Sequence, residues 1–130
     1  VGGGKKRICA YGGSAPLNTA SQNGHVEVVR ALLDQGADID KACDDGTTPL
    51  YIASQEGHVE VVRALLDQGV DIDKAMDGGS APLNIASQNG HLEVVRALLD
   101  QGADIDKAMD GGDTPLFTAS QNGHVEVVRA

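Results

Sequence analysis

At 130 residues the chain has the length of one domain, yet it holds only two Tyr, one Phe and no Trp, too few rings for one thick core. Val, Leu, Ile and Ala must fill several similar thin layers instead. A formal net charge of -9, from 19 Asp and Glu against 10 Lys and Arg, opposes docking on phosphate backbones, so nucleic acid is not an expected partner. No apolar run approaches the roughly 20 residues that span a bilayer, and no membrane role is expected. No apolar signal segment is present either.

Residues 1–12 carry no recurring pattern and read as a loose segment, with Lys5, Lys6 and Arg7 as a solvated basic cluster beside a Gly run. From residue 13 the sequence repeats itself. Pro16, Pro49, Pro82 and Pro115 are spaced by 33, as are Gly24, Gly57, Gly90 and Gly123, each followed by a histidine. Residues 57–89 and 90–122 differ at six of 33 positions. Such similarity requires near-equivalent environments, which an open stack of layers provides. The units are placed at about 13–45, 46–78, 79–111 and 112–130, the last one partial.

One unit shows the expected elements. Thr48 is suited to cap a helix and Pro49 to its first position, where a missing N–H costs nothing. A short helix is predicted over Pro49–Glu56, ended by Gly57 in the left-handed conformation. A second helix is predicted from about Val59 to Gln68, with Val59, Val62 and Leu66 on one stripe, widened by Val61 and Leu65. Glu60 sits near its positive end, and Gly69 terminates it. Val70 to Asp73 read as extended, and Asp77-Gly78-Gly79 as a tight turn. Neither helix is long enough to be stable alone, so each must bury its apolar face against its partner and its neighbours.

The unit resembles the ankyrin repeat. Thr-Pro-Leu at 48–50 and 114–116, Gly-His-Val-Glu-Val-Val at 57–62, Gly-His-Leu-Glu-Val-Val at 90–95, the Leu65-Leu66 pair before Gly69, and Ala103-Asp104-Ile105-Asp106 carry the match. It covers about residues 13–130. The resemblance implies an all-α solenoid of stacked helix-turn-helix units with projecting β-hairpin loops, whose concave side binds proteins. Where the family often has His after Thr-Pro-Leu, this chain has Asn18, Tyr51, Asn84 and Phe117. Ala15 and Ala81 replace the capping Thr, at an expected ~1 kcal/mol per helix. Cys43, Met76 and Met109 stand where the hairpin usually has Asp. The unmatched start and the break inside the last helix lead us to expect a piece of a longer array.

Reactive groups were weighed against the repeat. Stacked helices lie roughly 8–10 Å apart while zinc binds at about 2 Å, so His25, His58, His91 and His124 cannot share one ion; they read as anchors of the turn between helices. Asp38, Asp40, Asp44 and Asp45 lack the acidic or amide residue and the Gly that a calcium loop needs at Ala42 and Cys43. Gly78-Gly79 and Gly111-Gly112 are followed by no Gly-Lys-Ser/Thr and read as turns. Every candidate His, Ser and Asp recurs with the repeat, whereas a catalytic site is normally unique. No enzymatic activity, cofactor, metal or small-molecule substrate is therefore expected. Cys9 and Cys43 read as reduced thiols of an intracellular protein, in cytoplasm or nucleus.

The remaining signal is variation between units. Asp44, Asp45, Thr47, Tyr51 and Glu56, then Asp77, Ser80 and Asn84, then Asp110, Asp113 and Phe117 differ among equivalent positions at the loop tips and first helices. They are the candidate partner-binding residues, with Tyr51 and Phe117 as aromatic anchors. The alternatives are drift at the surface and, for the two rings, packing between adjacent units. The expected function is non-catalytic protein binding along the groove and acidic tips, with a basic segment in the partner. A second reading is a spacer, targeting or regulatory array of a larger protein carrying another domain. A third is self-assembly through exposed end units.

Overall fold

The computed structural model describes residues 16–43 and 45–130. Among them are eight helices and no strand: α1 (Pro16–Asn23), α2 (Val26–Asp34), α3 (Pro49–Glu56), α4 (Val59–Asp67), α5 (Pro82–Asn89), α6 (Leu92–Asp100), α7 (Pro115–Gln121) and α8 (Val125–Arg129). The predicted Pro49–Glu56 helix is present with those bounds, and the second helix of that unit ends one residue earlier than expected. The segment expected to precede the repeats, residues 1–12, lies outside the described residues, as do Cys9 and Asp44.

The first helices begin as their sequence dictates. The Thr48 hydroxyl accepts the Tyr51 N–H at 3.1 Å, and Thr114 accepts the Phe117 N–H at 3.2 Å. Gly57 and Gly90 end α3 and α5 with φ of 80° and 74°, a conformation that costs glycine nothing. Ala81 has no side-chain acceptor. There the cap is half replaced, because the Asn84 carboxamide oxygen accepts the Ala81 N–H at 2.9 Å. The second helices open on His58 and His91, whose side chains do not cap them. Glu60 and Glu93 lie in their first turns. The Arg63–Glu60 and Arg96–Glu93 pairs at 3.4 Å are solvent-exposed and contribute little stability.

Each unit contributes one first and one second helix, and the helices stack in two layers, α1-α3-α5-α7 and α2-α4-α6-α8. The core runs between the layers, with Leu50, Val61, Val62, Leu65, Leu83, Val94, Val95 and Leu98 all at most 2% exposed. The first helices approach one another more closely than the second helices do. Ala53, Ser54, Ala86 and Ser87 are buried where they meet, and such small side chains permit the approach.

Two contacts lock neighbouring units. The Nε2 atoms of His58, His91 and His124 lie 2.8–2.9 Å from the carbonyls of Gln22, Gln55 and Gln88 in the preceding unit. The histidine rings thus tie one unit to the one before, and none of them caps its own helix. A Cβ on Gly24, Gly57 or Gly90 would meet the imidazole of the next unit at 2.7–2.8 Å. Glycine recurs there because the ring needs the space.

The loops differ from expectation in two respects. Among the described residues no strand forms where β-hairpins were expected. Each tip is closed by a pair of backbone bonds: Met76 N–H donates to the Ser80 carbonyl and Gly79 N–H to the Met76 carbonyl, both at 2.9 Å, while Met109 N–H donates to the Asp113 carbonyl and Gly112 N–H to the Met109 carbonyl, both at 2.8 Å. Arms this short build no ladder. The segment read as extended is also a turn, because the Asp71 carboxylate accepts the Asp73 N–H at 3.3 Å and curls the chain. Asp38 and Asp104 do the same for Asp40 and Asp106, at 3.1 and 3.0 Å. The neighbouring loop is held by the second aspartate of each turn: Asp71 N–H donates to the Asp40 carboxylate and Asp104 N–H to the Asp73 carboxylate, at 3.2 and 3.0 Å. Cys43 is disulfide-bonded, which corrects the reading of a reduced thiol and removes the thiol argument for a reducing compartment. No described helix is long and apolar enough to cross a membrane.

Candidate protein-binding surface

The loop tips join into one edge. Asp77 N–H donates to the Asp45 carbonyl and Asp110 N–H to the Gly78 carbonyl, both at 2.9 Å. Each tip therefore sits at a fixed offset from the next. Asp45, Asp77 and Asp110 are exposed along this edge, and Asp113 is half-buried beside it. Asp45 also closes its own turn, its carboxylate accepting the Thr47 N–H at 2.9 Å. The Asp110 carboxylate lies against Gly79, where a Cβ would meet it at 2.6 Å. Three aspartates thus follow a backbone-bonded line, an arrangement that raises negative potential locally and attracts cationic groups.

Four other candidates face inward. Thr47, Tyr51, Ser80 and Asn84 are 4, 6, 5 and 1% exposed, so their side chains offer almost no area to a partner. Tyr51 donates its hydroxyl to Ser80 Oγ of the next unit at 3.1 Å. Burial raises the Tyr51 pKa above the ordinary tyrosine value; the Ser80 bond opposes the rise and the Asp45 charge adds to it. The Asn84 amide donates to the Lys107 carbonyl at 2.9 Å. Of the two readings of Tyr51, packing between units is the one its burial fits. Phe117, at the equivalent position, is 51% exposed.

Glu56 is exposed but lies at the far end of α3 from the tip, about 12 Å away at 1.5 Å per residue. At its equivalents, Asn89 and Asn122 donate to Gln55 and Gln88 carbonyls at 3.2 and 3.1 Å; a carboxylate cannot donate this bond. Glu56 therefore stands apart from the aspartate edge.

Exposed apolar side chains stand at the end units, where the third sequence reading placed exposed surface. Leu116, Val125 and Val128 are 56, 54 and 41% exposed at one end, and Val28 is 49% exposed at the other. Beside Leu116 and Val128 lies a hollow of about 190 Å³ lined by Leu83, Val95, Leu99, Ile105 and Val127.

An open stack of helix pairs, tied through histidines and joined along bonded loops, is a repeat solenoid. A model of ankyrin repeats in three copies matches residues 3–76 and 69–130. The chain belongs to the ankyrin-repeat family, whose members are in general protein–protein interaction modules. No curated protein matches it.

Proposed function

We propose that the chain is a non-catalytic binding module whose partner presents a basic protein segment to the aspartate edge. The observation that carries this reading is the bonding of successive tips, which keeps the carboxylates of Asp45, Asp77 and Asp110 exposed along one line. Asp113 extends the line, Asp44 belongs to it by sequence register, and Phe117 offers an exposed ring near its end. Thr47, Tyr51, Ser80 and Asn84 support the edge from within. The net charge of -9 favours a cationic partner and disfavours nucleic acid.

The test is calorimetric titration with a Lys/Arg-rich peptide at low and high salt. The wild-type chain binds, and the affinity falls as salt screens the edge. The double variant Asp77→Asn, Asp110→Asn weakens binding roughly five-fold, on the scale of two exposed ion pairs. Salt-independent binding, or binding indifferent to these substitutions, contradicts the reading.

A further inference from the structure

Three Asp-Gly pairs, Asp45-Gly46, Asp77-Gly78 and Asp110-Gly111, and three Asn-Gly pairs, Asn23-Gly24, Asn89-Gly90 and Asn122-Gly123, stand at turns and helix ends. Such pairs can close on themselves, because a glycine has no side chain to hinder attack by its nitrogen on the preceding side-chain carbonyl. Closure needs that nitrogen free of a hydrogen bond and the side chain free to turn onto it. The fold grants this unequally.

Four of the pairs have a bonded glycine N–H. Gly46 N–H donates to the Cys43 carbonyl at 2.8 Å, while the Asp45 carboxylate accepts the Thr47 N–H at 2.9 Å. Gly90 N–H donates to the Ser87 carbonyl at 3.3 Å and the Asn89 amide to the Gln55 carbonyl at 3.2 Å. Gly123 N–H and the Asn122 amide likewise donate to the Ser120 and Gln88 carbonyls, at 3.2 and 3.1 Å. Gly24 N–H donates to the Ser21 carbonyl at 3.4 Å.

Asp77-Gly78 is different. Gly79, not Gly78, donates the bond that closes this turn, onto the Met76 carbonyl at 2.9 Å. The Asp77–Gly78 peptide is therefore the central one of a β-turn, and its N–H plays no part in the closing bond. Among the described residues that N–H has no acceptor and the Asp77 carboxylate no donor. Both residues are exposed, and nothing lies within 4 Å of a Cβ placed on Gly78. A Cβ on Gly46 would meet the Met76 backbone at 2.9 Å, and one on Gly90 the His124 ring at 2.7 Å. Asp110-Gly111 occupies the same turn position as Asp77-Gly78, but its carboxylate lies against Gly79.

We infer that Asp77 is a site of spontaneous isomerisation to isoaspartate in the folded protein. The Gly78 nitrogen attacks Cγ of the protonated Asp77 carboxyl. The N–Cγ bond forms, and the amide hydrogen leaves with the carboxyl hydroxyl as water, giving a five-membered succinimide. Water then opens the ring. Cleavage of the new N–Cγ bond restores aspartate, while cleavage at the main-chain carbonyl leaves a chain that runs through the side-chain methylene. One water leaves and one returns, so no oxidant or other co-reactant is required. The charge survives, but the backbone gains one atom beside Gly78, whose carbonyl accepts the Asp110 N–H at 2.9 Å. Isomerisation thus loosens the junction between two tips, whatever partner the edge binds.

The full chain is held folded at neutral pH and physiological temperature for weeks, then digested and read by mass spectrometry with electron-transfer fragmentation, which separates isoaspartate from aspartate. A parallel sample is unfolded in urea. In the folded chain Asp77 isomerises roughly ten-fold or more faster than Asp45, since two hydrogen bonds must open before Asp45 can react. Asp110 falls between them. In urea Asp45 and Asp77 react at similar rates, and Asn89 and Asn122 deamidate faster than in the folded chain. Asp77→Glu, which would have to close a six-membered ring, leaves no isomer at that peptide and an unchanged rate at Asp45. Asp45 keeping pace with Asp77 in the folded chain overturns the inference. So does a preference for Asp77 that persists undiminished in urea.

Discussion

Leu83 and Leu116 follow the same proline at the start of the same helix in successive units, yet one is 2% exposed and the other 56%. Tyr51 and Phe117 differ in the same way, at 6% against 51%. Nothing local separates the members of each pair. Leu50 and Leu83 are buried because another unit follows them. In a stack of thin layers, burial belongs to the junction between units, and a residue's energetic role depends on its place in the stack.

The sharpest way to break this comparison is to truncate both leucines. Leu83→Ala empties a packed junction and should cost about 2–5 kcal/mol. Leu116→Ala removes a side chain that faces solvent and should change stability by no more than about 0.5 kcal/mol. Urea unfolding followed by circular dichroism checks both, with several probes because repeat arrays need not unfold in one step. Equal costs would mean that position in the stack does not decide burial energy.

A smaller effect is expected at the aromatic pair. Tyr51→Phe deletes the hydroxyl that bonds Ser80 and should cost about 1 kcal/mol, while Phe117→Tyr should be near neutral. Alkaline unfolding sharpens the contrast. Burial, with the Asp45 charge behind it, raises the Tyr51 pKa despite the opposing Ser80 bond. The folded state therefore holds the proton at pH values where the unfolded state has released it. The stabilisation is complete below the ordinary tyrosine pKa of about 10 and is lost as pH rises through the folded value. Tyr51→Phe should remove that part of the alkaline loss, and a pH profile identical to wild type would contradict the burial assigned to this ring.

Much of the fold was legible because its signals are local and repeated. Thr48, Pro49 and Gly57 mark the ends of α3 through backbone chemistry that needs no distant contact. The 33-residue spacing exposed the stack. What stayed hidden depends on pairs far apart in sequence. Tyr51 meets Ser80 across 29 residues and Asn84 meets Lys107 across 23. Differences between units at these positions looked like surface freedom, yet they are alternative interlocks: a Thr cap goes with an aromatic ring at 48 and 51, and an Ala cap with a bonding amide at 81 and 84. The segment read as extended at 70–73 turns instead, because Asp71 and its equivalents curl the backbone onto their own carboxylates. The aspartate edge was half legible. Its charges recur in the sequence, while the bonds from tip to tip that align them do not show there.

Amide hydrogen exchange tests most directly the claim that neighbouring units set local stability. Amides in α5 and α6, covered on both sides, should exchange only through openings near the global unfolding free energy, while those in α7 and α8 exchange orders of magnitude faster by local fraying. Equal protection in the two helix pairs, measured at a concentration where the chain is monomeric, would contradict the account.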